Sequence, residues 1–530
     1  MAKKAAAKPK AEKSIETQLW ESANKLRGNI EASEYKHVVL SLIFLKYAGV
    51  RFERQYKKLE EQYGAMASAI CNMPQSYAKD NVFYLPEECR WNYIMENAKQ
   101  PNIPQIIDKA LSDIEKSNKQ LTGAMPVNYY SQVGIDPAKL GSLIDTINNM
   151  EKHMDDSNDF FGRVYEYCLS NFALQEGKGK GEYYTPKAIV NLITEMIEPY
   201  KGKVYDPACG SGGMFVQSAK FIENHKGNKK DISVYGQEYT PTTFKLAKMN
   251  LAIRGISANL GEKAASTFKD DQHKAEKFDY IMANPPFNQK DWREPSELLD
   301  DPRWKGFKTP PTSNANYAWI LNIFSKLSTN GIAGFLLANG ALSSDGDEKA
   351  IRKALIEEKD AIEAIIILPR NMFYTTDISV TLWIMNRNKH ARTATVNGEQ
   401  RHYRERANEI LFMDLRTWGE PFEKKYTTFS QTDIEKAAEC FHRWQRTDMG
   451  DYEDVPEFCK SVKTTDLKDA SLVPSKYIEF VNRTDNVGYE EKMFALQTEL
   501  KQLFKDEEES RKAVMDVFKS LGYELKKRNI

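Results

Sequence analysis

The sequence predicts an α/β protein with a doubly wound sheet, a helical domain before it and a helical tail after it, and three observations carry that expectation. Short β-type apolar runs alternate with helical segments: Val204-Tyr205, Ser233-Val234-Tyr235, Phe278 to Met282, Ile332 to Ala338, Ala364 to Leu368 and Ser379 to Met385. Such alternation builds a sheet covered by helices on both faces. Before it, apolar residues recur at helical spacing with no strand alternation. After about Asn388 the pattern weakens and gives way to a charged, helical end.

In chain order, residues 1–13 carry Lys3, Lys4, Lys8, Lys10 and Lys13 among alanines. They lack the apolar stretch of a secretory signal and are expected to be a disordered, solvated N-terminus. Residues 14–160 form the expected helical N-terminal domain, with Leu19, Ala23 and Leu26, then Val38, Leu42, Phe44, Leu45 and Tyr47, at helical spacing. Pro74, Pro86, Pro101, Pro104 and Pro126 break its later part into short pieces. The α/β domain is expected over 161–410, its strands beginning after Lys178-Gly179-Lys180-Gly181. Within it the stretch Gln289 to Asn316 holds Trp292, Trp304, Pro310 and Pro311. A loop that long inside a compact domain is usually functional or mobile. In the C-terminal region, 411–530, Phe494, Leu496, Leu500, Leu503, Phe504, Val514, Val517, Phe518 and Leu521 give an amphipathic helix that either covers its own core or packs on a partner helix.

A chain of 530 residues implies two or three domains. Its 75 basic and 75 acidic side chains cancel, whereas a protein gripping DNA alone through many phosphates would carry a basic excess. Any nucleic-acid surface is therefore local, or supplied by another subunit. The six cysteines form no C-x-x-C and the seven histidines no H-x-x-x-H pair, so no metal site is expected. With no apolar run long enough to span a bilayer and no disulfide pattern, the chain reads as cytoplasmic, with reduced thiols.

Two segments carry the chemistry. Val204-Tyr205-Asp206-Pro207-Ala208-Cys209-Gly210-Ser211-Gly212-Gly213 runs from a strand through a glycine-rich turn toward a helix starting near Met214. At a strand's carboxyl end, such glycines let the backbone approach a nucleotide-like ligand. A carboxylate at Asp206 suits a cationic amine better than a pyrophosphate, which weighs against a dinucleotide and a dehydrogenase. Glu238, near the next strand tip, is placed to accept hydrogen bonds from ribose hydroxyls, with Tyr239 on an adenine face.

The second segment is Asn284-Pro285-Pro286-Phe287, delivered by the buried strand Phe278 to Ala283. Two prolines at a strand exit hold the backbone in fixed directions. An amino group on an aromatic ring is a poor nucleophile because its lone pair is delocalised. The Asn284 side-chain oxygen and the Pro285 carbonyl, accepting both N–H groups, would expose that lone pair. Phe287 would stack on the base, which must first leave the duplex. Direct displacement at a methyl sulfonium then needs no metal and no covalent enzyme intermediate.

These motifs resemble the modification subunit, HsdM, of type I restriction-modification systems. The resemblance runs through nearly the whole chain: Leu19-Trp20 to Leu26-Arg27-Gly28, Leu42 to Tyr47, Gly181 to Pro186, Asp206 to Gly212, Gly236-Gln237-Glu238, Asn284 to Phe287, and Leu368-Pro369 with Phe373. It implies a Rossmann-like, S-adenosyl-L-methionine-dependent methyltransferase acting on adenine N6 in DNA. It also implies a separate DNA-specificity subunit, typically bound by two modification subunits and docked through the C-terminal region, which a restriction subunit can join. By the same resemblance Tyr184, Thr185, Pro186, Asp206, Pro207, Gly210, Ser211, Gly212, Glu238 and Tyr239 hold the cofactor. Thr185 and Pro186 also read as the cap and first turn of a helix. Where the family commonly carries an acidic residue for the cofactor's adenine amine, this chain reads Ala264-Ala265-Ser266-Thr267-Phe268. Ser266 accepts a hydrogen bond there more weakly than a carboxylate does.

Two other readings use the same residues. One is methylation of a protein glutamine or an RNA base, whose nitrogens the same acceptor pair would activate. The other is a weakly active cofactor-binding scaffold of a defence complex, which rests on Ser266.

Overall fold

The computed structural model describes residues 14–24, 32–150, 160–176, 185–373, 379–423, 425–481 and 489–520. The expected solvated N-terminus, the Lys178 to Gly181 segment and the candidate residue Tyr184 lie outside them.

The first part is helical and runs past the expected limit at 160: α1 (Ile15–Asn24), α2 (Ala32–Tyr63), the short α3 (Ala67–Ile70), α4 (Gln75–Ala78) and α5 (Trp91–Glu96), then α6 (Ile103–Ser117), α7 (Tyr129–Val133), α8 (Pro137–Asn149) and α9 (Phe160–Glu176), which packs with α2 in one core. Helix α2 is buried on every side from Tyr35 to Val50, which explains its near-continuous apolar run. Its polar residues are accommodated one by one. Lys46 donates to Asn148 Oδ1 at 3.2 Å, and Ser41 Oγ meets Tyr130 Oη at 2.8 Å. Asp136 caps α8 by accepting from the Ala138 amide at 2.8 Å.

Next come α10 (Lys187–Ile197), β1 (Gly202–Asp206), α11 (Gly213–Asn224), β2 (Ile232–Gly236), α12 (Pro241–Ile253), β3 (Ala258–Asn259), β4 (Phe278–Ala283), α13 (Asn316–Lys326), β5 (Leu327–Ala338), α14 (Asp347–Glu357), β6 (Ile362–Ile367) and β7 (Val380–Asn386). Hairpin β8 (Arg392–Val396)–β9 (Glu399–Tyr403) follows, then β10 (Glu409–Asp414), the small hairpin β11 (Glu420–Phe422)–β12 (Tyr426–Thr428), α15 (Gln431–Gln445) and β13 (Cys459–Lys463).

Nine strands make one sheet in the order β13-β10-β6-β7-β5-β4-β1-β2-β3. Strands β3, β2, β1, β4 and β5 are parallel, while β7 inserts antiparallel between β5 and β6. From β1 the chain moves outward through β2 and β3, then returns to place β4 on the other side of β1. Beside β1 and β4 the winding reverses, and the crevice at their carboxyl ends is where a doubly wound sheet binds its ligand.

Two expectations are corrected. A domain boundary at 410 would cut β10, which pairs in parallel with β6, while β13 closes the sheet edge antiparallel to β10. The α/β unit therefore continues past Lys463. Strand β10 is an isolated apolar run, Ile410 to Met413, beyond the point where the alternation weakens, and β13 is a short, polar edge strand, so neither extended the strand-helix pattern. Second, Thr185 does not cap α10. Pro186 is the N-cap position, with no side-chain capping bond, and Thr185 stands one residue ahead of it.

Helix α12 joins the helical part to the sheet. Its Leu246, Met249 and Ile253 belong to the same apolar core as α2 and α9. Residues Met1–Ile478 form one compact unit and Glu479–Ile530 a second. Within the second, α16 (Tyr489–Ser520) aligns Leu496, Leu500 and Leu503 on one face. Among the described residues no helix is long and apolar enough to cross a membrane, and no His, Cys, Asp and Glu group is arranged to hold a metal ion. All six cysteines are free thiols.

Candidate active site

The β1–α11 loop is built from backbone. Gly210 and Gly212 have φ of 52° and 82°, left-handed values that favour glycine, and Gly212 is the N-cap of α11. A Cβ at Gly212 would also press on Leu251 at 3.4 Å. Asp206 ends β1, only 1% exposed. Its carboxylate accepts the Ala208 amide at 2.9 Å, and burial pushes its pKa up to about 8.

At the next strand tip the Glu238 carboxylate accepts the Gly210 amide at 3.0 Å and the Thr240 amide at 2.8 Å, tying the glycine loop to the start of α12. Fully buried Gln237 wires the third wall. Its Nε2 donates to the Ala265 and Asp270 carbonyls at 3.2 and 2.7 Å, and its backbone exchanges bonds with Asp206 and Cys209. Through these contacts the segment around Ser266 is held beside Glu238, whose carbonyl accepts the Ala265 amide at 2.9 Å. Ser266 Oγ accepts the Lys269 amide at 3.3 Å.

Strand β4 delivers Asn284 to the other side of the crevice. Its Nδ2 donates to Thr185 Oγ1 at 2.9 Å. That contact turns Oδ1 the opposite way, where it is buried without a hydrogen-bond partner among the described residues. A buried acceptor without a partner costs about 1–3 kcal/mol, a cost that a donor brought by a ligand in the cavity would relieve. Pro286 faces the cavity. Phe287 turns inward instead, edge-on to Phe373 with ring centroids 5.9 Å apart.

Beyond Phe287 the long loop has its own scaffold. Asn288 (φ 52°) and Asn316 bond each other reciprocally, amide to Oδ1 at 3.0 Å and Nδ2 to Oδ1 at 2.9 Å. The Ala315 amide to the Gln289 carbonyl, and the Asp291 amide to that of Thr312, close the neck. Buried Arg293 donates to four carbonyls, those of Glu294, Pro295, Glu297 and Pro310. Arg303 reaches across to the Thr267 and Phe268 carbonyls at 2.8 and 2.7 Å while paired with Asp301. The loop expected to be functional or mobile is thus internally hydrogen-bonded and lines the crevice through Gln289, Asp291 and Trp292.

Together these elements enclose a cavity of about 470 Å³, within the range of small-ligand sites. Of the residues singled out in the sequence, Pro207, Gly210, Ser211, Glu238, Tyr239, Ser266, Asn284 and Pro286 line it, and Tyr239 is 74% exposed at its mouth. Thr185 opens on a small adjoining pocket that shares Ser211. Asp206, Gly212, Pro285 and Phe287 adjoin lining residues in sequence without lining the cavity themselves. Missed in the sequence were Phe268, Trp292 and Trp319, and, from the helical part, Lys36 and Phe172. The tryptophan in the conspicuous loop after the prolines was a usable signal; nothing local marks Lys36.

Residues 156–486 match the N-6 DNA methylase family, and residues 15–147 match the HsdM N-terminal domain. The chain is 40% identical over 466 residues to the type I restriction enzyme HindI methylase subunit of Haemophilus influenzae, covering 83% of this chain and 100% of that protein. It is 33% identical over 528 residues to the MjaIX methylase subunit of Methanocaldococcus jannaschii, covering 96% and 92%. The solved methyltransferase subunit of a type I restriction-modification system from Streptococcus thermophilus shares the fold with a TM-score of 0.71, at 23% identity, over 88% of this chain and 99% of that chain.

Proposed function

Because the chain belongs to the N-6 DNA methylase family, among the HsdM modification subunits of type I restriction-modification systems, it is an adenine-specific DNA methyltransferase, and we propose that Asn284 and Pro285 activate N6 of an adenine swung out of the duplex. The observation that carries this assignment is the buried Oδ1 of Asn284, without a partner among the described residues and oriented by Thr185 at the crevice between β1 and β4.

The residues present fit S-adenosyl-L-methionine. Glu238 is positioned for ribose hydroxyls, the backbone at Gly210 and Ser211 lies open to a nucleoside, and Ser266, Phe268 and Tyr239 surround the place where its adenine would lie. A cationic amine near Asp206 would return that carboxyl to its charged form, which burial otherwise disfavours. When bound, the cofactor supplies a methyl carbon on a sulfonium, open to direct displacement.

Asn284 Oδ1 and the Pro285 carbonyl each accept one N–H of the target amine, turning its lone pair toward the methyl carbon. Neither is basic enough to keep a proton, which leaves to solvent after transfer. Pro286 contributes an apolar surface to the same cavity. The base must be out of the stack to reach it.

Reading of the DNA sequence is assigned to a specificity subunit, bound by two copies of this chain and joined in some complexes by a restriction subunit. The zero net charge supports that division, as does the apolar face of α16.

The test is transfer of radiolabelled methyl from S-adenosyl-L-methionine to DNA, protein and RNA in parallel, with the specificity subunit present. Label in DNA adenine, lost by roughly three orders of magnitude in Asn284→Ala while cofactor binding persists, is the expected result. No label in DNA, or wild-type turnover by the variant, would refute the proposal.

A further inference from the structure

Trp319, on α13, lines the same cavity and is only 5% exposed. Its indole N–H is buried without a hydrogen-bond partner among the described residues. Trp292 and Trp304, in the preceding loop, donate to the Pro311 and Leu298 carbonyls at 2.8 and 2.7 Å. Trp383, in the sheet core, is the other tryptophan whose buried indole N–H has no partner among the described residues, and of the two only Trp319 lines the cavity.

The neighbours of the ring show which part of the cavity it borders. Trp319 packs against Phe268, ring centroids 4.3 Å apart. Phe268 ends the Ala264 to Phe268 segment that Gln237 and Glu238 hold at the tip of β2. A ribose held by Glu238 would put the attached adenine on this side of the cavity, near Tyr239, Ser266 and Phe268. Adenine presents one exocyclic donor and several ring-nitrogen acceptors. This segment has no carboxylate for the donor, only Ser266. An indole N–H is complementary to the acceptors.

We propose that Trp319 determines specificity for the cofactor's adenine by donating its indole N–H to a ring nitrogen. The inference rests on the methyltransferase reading above and adds a recognition contact to it. Selectivity on this side then comes from a donor on α13 reading the ring, where a carboxylate would read the amine.

Titration calorimetry on the full chain tests it, using S-adenosyl-L-homocysteine and its 1-deaza, 3-deaza and 7-deaza analogues, each of which replaces one ring nitrogen by C–H. The wild-type chain should lose roughly tenfold in affinity for one analogue, the worth of a hydrogen bond to a buried donor. Trp319→Phe keeps the apolar ring without the N–H. It should bind the parent compound roughly tenfold more weakly and lose the penalty for that same analogue, while its response to the other two is unchanged. If the wild-type chain binds all three analogues as tightly as the parent, or the variant keeps every penalty, Trp319 does not read the ring. If the wild-type chain binds none of the four compounds, the methyltransferase reading falls and this inference with it.

Discussion

Thr185 Oγ1 accepts a 2.9 Å hydrogen bond from Nδ2 of Asn284, across 99 residues of sequence. The bond decides which end of the amide faces the cavity, and the catalytic assignment depends on the oxygen being that end. Thr185→Val keeps the shape and removes the acceptor, so the amide loses its preferred orientation. The expected result is a kcat lower by roughly 10- to 100-fold, about 1.5–3 kcal/mol, with cofactor affinity little changed. Thr185→Ser restores most of the rate. Single-turnover methylation alongside cofactor titration separates this from a folding defect, which would lower both.

Asp206 makes stability depend on pH in a defined direction. Its folded pKa is raised to about 8, well above the value of about 4 of an unfolded aspartate. A group raised in the folded state contributes stability fully present below the unfolded value and lost as pH rises through the folded one, because the folded chain holds a proton that the unfolded chain has released. Asp206→Asn mimics the protonated carboxyl at every pH. Melting curves should coincide for variant and wild type near pH 4 and diverge toward pH 8, the variant becoming more stable by a few kcal/mol. The variant should also bind S-adenosyl-L-methionine poorly. Equal dependence in both proteins would mean that this carboxyl is not the titrating group.

Cofactor binding by the wild-type chain should release a proton near pH 7, because a cationic amine beside Asp206 favours the carboxylate. Calorimetry in buffers of different ionisation enthalpy reads that number directly. A value near zero would place the amine elsewhere.

Glu238→Gln removes one of two equivalent acceptor oxygens, so the Gly210 and Thr240 amides can no longer both be held. The cofactor Kd should rise by roughly 10- to 100-fold, with kcat at saturating cofactor within a few-fold of wild type. A variant that lost kcat without losing affinity would contradict a cofactor-holding role.

Arg303 carries the wall of the cavity, bridging Asp301 to the Thr267 and Phe268 carbonyls. Arg303→Lys keeps the charge and loses the planar fork. Hydrogen exchange should quicken across 289–315, and the cofactor KM should rise about tenfold. Protection unchanged over that loop would show that Arg293 and the two tryptophans hold it unaided.

Most of the sheet was legible in the sequence. Strands β1, β2, β4, β5, β6 and β7 were found from short apolar runs, whereas β3, β10 and β13 were not. Strand β3 is only two residues long, β13 is mostly polar at the sheet edge, and β10 is an apolar run isolated beyond the region where strands and helices alternate. The antiparallel setting of β7 left no local trace, since a buried strand has the same composition in either direction.

The chain by itself determined the chemical parts. The left-handed turns at Gly210 and Gly212, the acid at the β2 tip and the rigid exit after Asn284 are properties of neighbours along the backbone, so steric and propensity rules read them directly. The tertiary structure alone decided which atoms meet. Thr185 orients Asn284 instead of capping its helix, Phe287 turns into the core, Asp206 is buried at the end of β1, and Lys36 and Phe172 arrive from the helical part that precedes the sheet. Those pairings follow from strand order and from helix docking on α12, contacts between distant segments that no short window of sequence contains.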